Sequence, residues 1–155
     1  MLAVPVEDRA AVDVHVHIEI GPEGDDHLSR DLREAASQYF KGEVHLPSID
    51  EVADYYRERQ MMAVVFGVDS ALTTGQPRIP NSFVVEGARR HNDVLIPFAS
   101  IDPRRGADGV SEAETLLEAG DVKGFKFPGA ALRNGHDLTR YPLLRTRRTE
   151  NRHGP

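Results

Sequence analysis

Four short runs of apolar residues, mostly β-branched or aromatic, recur along the chain at 12–18, 62–66, 94–99 and 122–127. Each run has the length and composition of a buried strand. The stretches between them carry helical spacing, so predicted strands and helices alternate. This alternation is typical of βαβ units, in which a helix connects two parallel strands. The sequence therefore predicts an α/β fold of four parallel strands with intervening helices, the N-terminal half of a distorted (β/α)8 TIM barrel.

Local start and stop signals predict where the helices lie. Ser48 and Glu51 form a capping box, in which each side chain bonds to the backbone of the other, so a helix is expected from there toward Arg59. A second capping box at 111–114 predicts a helix that ends at Gly120, a residue suited to left-handed backbone. Helical spacing predicts further helices over 28–39 and 82–90.

The first apolar run contains two histidines separated by one residue, in the motif Asp13-Val14-His15-Val16-His17. Side chains two apart in a strand share a face, so Asp13, His15 and His17 are expected on one face. The alternating apolar residues between 12 and 18 are expected to pack on the other face. Two imidazoles on one face can grip a metal ion, although a half-buried strand or surface histidines would show the same spacing.

Composition and charge narrow the class of function. The chain has 155 residues, enough for one domain with a sizeable core, and 39% of them are hydrophobic. A net charge of −6 argues against nonspecific nucleic-acid binding, which relies on a cationic surface. There is no cysteine, so any metal must be held by nitrogen and oxygen ligands. No stretch approaches the ~18 apolar residues of a membrane span and no export signal is evident, so we expect a cytoplasmic protein.

Polar residues stand near the ends of all four predicted strands. His15 and His17 lie late in the first run, Asp69 and Asp102 follow the second and third, and Lys126 lies on the fourth. The carboxyl ends of parallel strands converge on one face, which is where such folds place their sites. Asp102 precedes a proline and is expected to be structural, because Asp-Pro favours a turn. The other histidines, at 27, 45, 91 and 136, are expected to be surface residues.

Several of these segments together resemble the amidohydrolase superfamily. They are the His-x-His motif, IPFASIDP at 96–103, VKGFKFP at 122–128 and YPL at 141–143. The nearest branch is the amidohydrolase-related group of aminocarboxymuconate-semialdehyde decarboxylase and the hydroxybenzoate decarboxylases. The resemblance covers roughly residues 10–143. It implies a metal-dependent enzyme, a hydrolase or nonoxidative decarboxylase of a small carboxylated, aromatic-derived substrate.

The resemblance also implies roles for individual residues. His15 and His17 match the family's first two metal ligands, and the metal is expected to be Zn²⁺, with Mn²⁺ as the alternative. Asp13 either orients a ligand histidine or caps the start of the strand. Lys126 matches the lysine of the family's fourth-strand motif, but the histidine that follows it there is absent. This lysine either contacts a substrate carboxylate or extends from the sheet end into solvent.

The resemblance stops at position 143, and this carries further expectations. Residues 1–142 are expected to form a partial barrel domain, and the basic segment 143–155 a disordered tail that a frameshift would explain. The family's remaining metal ligands and catalytic residues come from later strands, so catalytic residues are unknown and activity is expected to be impaired. The alternative is a remnant or partial subunit without activity. Unpaired strand edges predict dimerisation or aggregation.

Overall fold

The computed structural model describes residues 8–24, 34–35, 37–39, 41 and 45–127 of the chain. Strands and helices alternate through these residues, as the apolar runs predict. The strands are β1 (Ala11–His17), β2 (Met61–Phe66), β3 (Leu95–Ser100) and β4 (Gly124–Lys126). The helices are α1 (Ile49–Glu58), α2 (Ala71–Thr74), α3 (Asn81–Arg90) and α4 (Ala107–Glu118), with a short 3₁₀ helix at Pro103–Arg105.

The four strands form one parallel sheet in the order β1-β2-β3-β4. The sheet is curled into a half barrel. Because neighbouring strands lie ~4.8 Å apart, β1 and β4 would be about 14 Å apart in a flat sheet. Curling brings the inner faces of the two outermost strands toward each other, and this decides which side chains can meet.

The two faces of the sheet are packed differently. The outer face, with Ala63 and Val65 of β2, packs against the buried sides of α1 and α3 in the largest apolar cluster. The inner face carries a smaller cluster, formed by Met62, Val64, Phe66, Ile96 and the half-buried Phe98. Gly124 of β4 is needed beside that cluster, since a Cβ there would lie 2.5 Å from the Phe98 ring.

An irregularity in β1 changes which of its residues face inward. Asp13 pairs with Ala63, whereas His17 pairs with Phe66, so β1 has one more residue than β2 across this interval. Such a bulge interrupts the strict alternation of side chains. The predicted apolar row from 12 to 18 is therefore wrong in part: Val16 and Ile18 pack into the outer cluster, but Val14 is 71% exposed.

The first predicted capping box is confirmed and the second is wrong. Ser48 caps α1 and exchanges bonds with Glu51 as expected. α4, however, begins at Ala107 behind Gly106, so positions 111–114 lie inside the helix. Asp102 explains the earlier start, because its carboxylate accepts from the backbone of Arg104 and opens the 3₁₀ helix that leads into α4. The predicted end is confirmed by a left-handed Gly120, with φ of +67°.

Some predictions fall outside the described residues. They are most of the helix expected over 28–39, residues 128–142 of the predicted partial barrel domain and the whole predicted tail at 143–155. Among the residues that the structure describes, no helix is long and apolar enough to cross a membrane.

Candidate metal centre

Three polar side chains meet on the inner face of the sheet near the carboxyl ends of the strands. Nε2 of His15 lies 3.0 Å from Nε2 of His17 and 3.3 Å from Nζ of Lys126. The two histidines come from β1 and the lysine from β4, at opposite edges of the four-stranded sheet. The curvature of the sheet therefore assembles a site that no single strand contains.

Phe66 forms the floor of this site. Its ring centroid lies 5.3 Å from that of His15 and 5.2 Å from that of His17, in edge-on contact with both. Nζ of Lys126 lies 5.1 Å from the same ring centroid, within the range of a cation–π contact. A buried aromatic floor restricts the rotamers of two exposed histidines and a half-buried lysine. The sequence identified Phe66 only as a strand residue.

Glu19 is a further member of the site that the sequence analysis missed. Its Oε1 lies 3.2 Å from Nδ1 of His17. An ionised carboxylate can only accept, so Nδ1 of His17 carries the proton and its Nε2 has a free lone pair when the ring is neutral. A carboxylate on the far nitrogen of a histidine is the usual arrangement behind a metal ligand. The signal was present, since Glu19 continues the two-residue spacing of His15 and His17.

Lys126 sets the state of His15 in the same way from the other side. An ammonium group can only donate, so Nε2 of His15 accepts from Lys126 and the proton of the neutral ring lies on Nδ1. Repulsion by the lysine charge, with smaller effects of burial and of His17, lowers the pKa of His15 below its usual value. Lys126 therefore favours a neutral His15 whose Nε2 lone pair is directed into the site.

These two constraints leave the facing nitrogens of His15 and His17 in an unusual position. With both rings neutral, the two Nε2 atoms lie 3.0 Å apart with no proton on either, and the ammonium group of Lys126 is bonded to the one on His15. Two unprotonated nitrogens this close repel each other unless a proton or a cation, such as this ammonium group, lies beside them. At a Zn–N length of ~2.05 Å, two ligand nitrogens are about 3.3 Å apart at a tetrahedral angle and about 2.9 Å apart at a right angle. The observed spacing thus fits two ligands of one ion.

The described residues supply only part of a coordination sphere. Within 8–24, 34–35, 37–39, 41 and 45–127, no group of three or more His, Cys, Asp or Glu side chains is arranged to hold a metal ion. The pair of histidines fits an ion as two of its ligands, and solvent or other residues would have to complete the sphere. A structural site closed by protein ligands alone is not formed by this part of the chain.

Asp13 lies on the opposite face of the sheet from the two histidine rings. Because of the bulge it pairs with Ala63 on the helix side, where Oδ2 accepts a 2.7 Å bond from the hydroxyl of Tyr56. Its Oδ1 accepts from the backbone N–H of His15 at 3.0 Å. The Tyr56 bond, followed by the His15 bond, lowers the pKa of Asp13. The expectation that Asp13 shares the face of His15 and His17 is wrong, and the carboxylate holds the backbone of His15 rather than a ring.

Asp69 and Asp102 do not join the histidines but lie in a separate buried network. Asp69 is 2% exposed, and its Oδ2 accepts from the backbone N–H of Asp102 and from Arg105. Its backbone N–H donates to Ser100, which is bonded in turn to Asn81. This network links the ends of β2 and β3, and Asp102 forms part of it.

The network continues outward through Glu112 of α4. This carboxylate receives two bonds from Arg78, at 2.9 and 3.0 Å, and one from Arg105 at 2.7 Å. Burial raises the pKa of Glu112, but the bonds from the two arginines and from Asn81 outweigh it and leave the pKa below its usual value. The network therefore fastens α4 to the strand ends as an ionised cluster.

A cavity of about 500 Å³ lies beside His17, between the end of β1 and α1. Its walls are mostly apolar and include Val16, Pro47, Val52 and the two tyrosines at 55 and 56. Its size is typical of a site for a small organic molecule. His17 is the residue that this cavity shares with the metal-ligand pair.

The remaining described histidines are not members of the facing pair, although His45 lines the same cavity as His17. His45 is exposed and lies 3.4 Å from Glu51, and His91 contacts Asp50 at 2.7 Å. His27 and His136 lie outside the described residues.

No protein-family model, curated protein or solved structure matches this chain. The case for a function therefore rests on the convergence of His15, His17, Glu19 and Lys126.

Proposed function

We propose that His15 and His17 bind a divalent metal ion through their Nε2 atoms, with Zn²⁺ preferred and Mn²⁺ as the alternative. The observation that carries the proposal is the pair of facing Nε2 atoms, 3.0 Å apart, each left without a proton by its other neighbours. Neutral imidazole is the commonest nitrogen ligand of Zn²⁺. The absence of cysteine limits any further ligands from this chain to nitrogen and oxygen.

The wider proposal is a metal-dependent enzyme of the amidohydrolase-related kind, built on a sheet that belongs to a TIM barrel. An ion at this site would act as a Lewis acid toward a bound water or a substrate oxygen. The residues of the chain would do the rest. Glu19 would orient His17, and Lys126, once free of His15, would attract the carboxylate of a small substrate. The resemblance is what implies an aromatic-derived substrate, since the apolar cavity beside His17 lies toward α1 on the helix side of the sheet.

Metal binding is tested before any activity. The purified protein is stripped with a chelator, dialysed and titrated with Zn²⁺ and then Mn²⁺ by isothermal calorimetry. We expect one ion per chain, and loss of that binding in H15A and in H17A. H45A is the matched control, because His45 is an exposed histidine beside a carboxylate that lines the adjoining cavity but is not one of the facing pair.

The outcomes separate the readings. Stoichiometric binding that survives in H45A and is lost in both site variants supports the proposed metal site. If all four proteins bind equally, the ion is held elsewhere and the site is wrong. If none binds, the two histidines do not form a metal site, and the alternative of a chain without catalytic activity is favoured.

Substrate turnover is tested separately. The metal-loaded protein is incubated with a panel of carboxylated aromatic compounds and their amides, and release of CO₂ and of amine is measured in parallel. Release of CO₂ alone indicates a decarboxylase, and release of amine alone a hydrolase. No release from the loaded protein, with bound metal verified, would count against the enzymatic proposal while leaving the metal site intact.

A further inference from the structure

We propose that Lys126 is a built-in competitor for the metal ion: in the metal-free protein its ammonium group bonds to the Nε2 lone pair of His15 that the metal needs. This inference rests on the metal site proposed above and adds a regulation of its affinity. It concerns what the lysine does before any substrate arrives.

The contact distances show that Lys126 and a metal ion would use the same lone pair of His15. Nζ of Lys126 lies 3.3 Å from Nε2 of His15, and Nε2 of His17 lies 3.0 Å from the same nitrogen. An imidazole nitrogen has a single lone pair, so it cannot accept from an ammonium group and ligate a metal at the same time. Metal binding therefore requires Lys126 to leave His15.

The charge of Lys126 also opposes metal binding by electrostatic repulsion. A ligated ion would lie ~2 Å from Nε2 of His15, so an unmoved ammonium group would be within about 5 Å of a doubly charged cation. At that distance the repulsion weakens binding by about tenfold even with the dielectric constant of water. The lysine must therefore either move away from His15 or lower the affinity of the site for the metal ion. Either event makes the net free energy of metal binding less favourable.

The surroundings of Lys126 explain why it stays in the site when no metal is present. Its ammonium group also lies over the ring of Phe66, at 5.1 Å from the centroid. Lys126 is half-buried on β4. On the same strand, Gly124 lies directly against the ring of Phe98, where there is no room for a Cβ atom. The strand and the aromatic floor thus direct the lysine toward His15 rather than into solvent.

The geometry also suggests how substrate and metal would be coupled. A lysine displaced by the ion is free to pair with an anion, and an anion that draws Lys126 away from His15 removes the competitor. A carboxylated substrate and the metal ion should therefore bind cooperatively, each by the same factor for the other.

The test uses three variants of the full chain. K126M keeps an apolar stem over Phe66 and removes the charge, K126R keeps the charge, and K123M removes the same charge three positions away. Zn²⁺ affinity is measured by calorimetry at one pH and one salt concentration. We expect K126M to bind about tenfold more tightly than the wild type, and K126R and K123M to stay within about twofold.

A second measurement needs no metal. Nitrogen-15 NMR of the His15 ring reports which nitrogen carries the proton. In the stripped wild type the proton should lie on Nδ1, and in K126M the ring should shift toward the Nε2–H form, because the donor to Nε2 is gone. K123M should leave the ring as it is in the wild type.

The outcomes distinguish this inference from the metal site itself. If the wild type binds Zn²⁺ but K126M binds it equally or more weakly, Lys126 is not a competitor, and the metal site stands. An unchanged His15 ring in K126M overturns the inference as well. If neither the wild type nor K126M binds Zn²⁺, the metal site fails and the inference falls with it, even where the NMR shows the Lys126–His15 bond.

Discussion

The bond from Tyr56 to Asp13 joins α1 to β1 directly behind the two histidines. The hydroxyl donates to Oδ2 of Asp13 over 2.7 Å, and Tyr56 is buried at 8% exposure. A hydrogen bond to a charged acceptor contributes ~1.5–3 kcal/mol, and the lower end applies here because Asp13 is half-buried and regains water once the bond is lost. We therefore expect Y56F to lower the free energy of unfolding by about 1.5 kcal/mol.

The assay is urea unfolding followed by circular dichroism. For a slope of ~2 kcal/mol per M, the midpoint of Y56F should fall by about 0.7 M with the slope unchanged. Y55F is the matched control: Tyr55 is the neighbouring tyrosine but is 52% exposed, and its ring packs against Arg59 rather than Asp13. Its midpoint should stay close to that of the wild type.

The dependence of this effect on pH follows from the two pKa shifts. Burial, followed by the Asp13 bond, raises the pKa of Tyr56, so its hydroxyl remains a donor at all ordinary pH values. The pKa of Asp13 is lowered from 3.8, chiefly by the Tyr56 bond. A lowered carboxyl pKa contributes stability above its unfolded value and loses it as pH falls through the folded one. The gap between wild type and Y56F should thus be constant from neutral pH to about 4.5 and shrink below the ordinary Asp pKa.

A double-mutant cycle isolates the bond itself. D13A and Y56F together should destabilise by less than the sum of the single changes, with a coupling of about 1 kcal/mol. If Y56F changes the midpoint no more than Y55F does, or if the coupling is zero, the bond does not hold β1 to α1 and the reasoning is refuted.

Two further changes test how the helices are fastened to the sheet. E112A should lower the free energy of unfolding by about 2 kcal/mol, because Arg78 and Arg105 lose their shared carboxylate in a partly buried place, and a loss below 0.5 kcal/mol in urea unfolding would contradict this. G87A should destabilise by about 1 kcal/mol, because its Cβ would overlap Cδ1 of Ile49 and lie 3.1 Å from Cγ1 and Cγ2, and this overpacking exceeds the ~1 kcal/mol gain in helix propensity. The G87A cost should fall by more than half in an I49V background, which removes the nearest methyl group, and a cost unchanged by I49V would show that the strain lies elsewhere.

Local sequence determined the elements of the fold. The run at 62–66 forms β2, which is buried along nearly its whole length, because five apolar residues in a row have no polar face to show to water. Ser48 and Glu51 determine the start of α1 through bonds within four residues of chain. In both cases the interacting groups are close in sequence, so the pattern contains the information needed.

Tertiary structure decided the site. The bulge in β1 depends on the register with β2, and it separates Asp13 from His15 and His17, which the two-residue spacing had put together. Contacts distant in sequence also explain why the capping box predicted at 111–114 is wrong. These positions lie inside helix α4, and Glu112 is bonded to Arg78 and Arg105 instead.

The contact between Lys126 and His15 shows the difference most clearly. The sequence alone determined that both residues lie on predicted strands of one sheet, near the ends where sites form. Their 3.3 Å contact across four strands comes from the curling of the sheet, which is a sum of small twists and packing choices along its whole width. The sequence alone therefore identified the two residues that could bind a metal. Only the curvature of the sheet determined that the ammonium group of Lys126 contacts the Nε2 lone pair of His15.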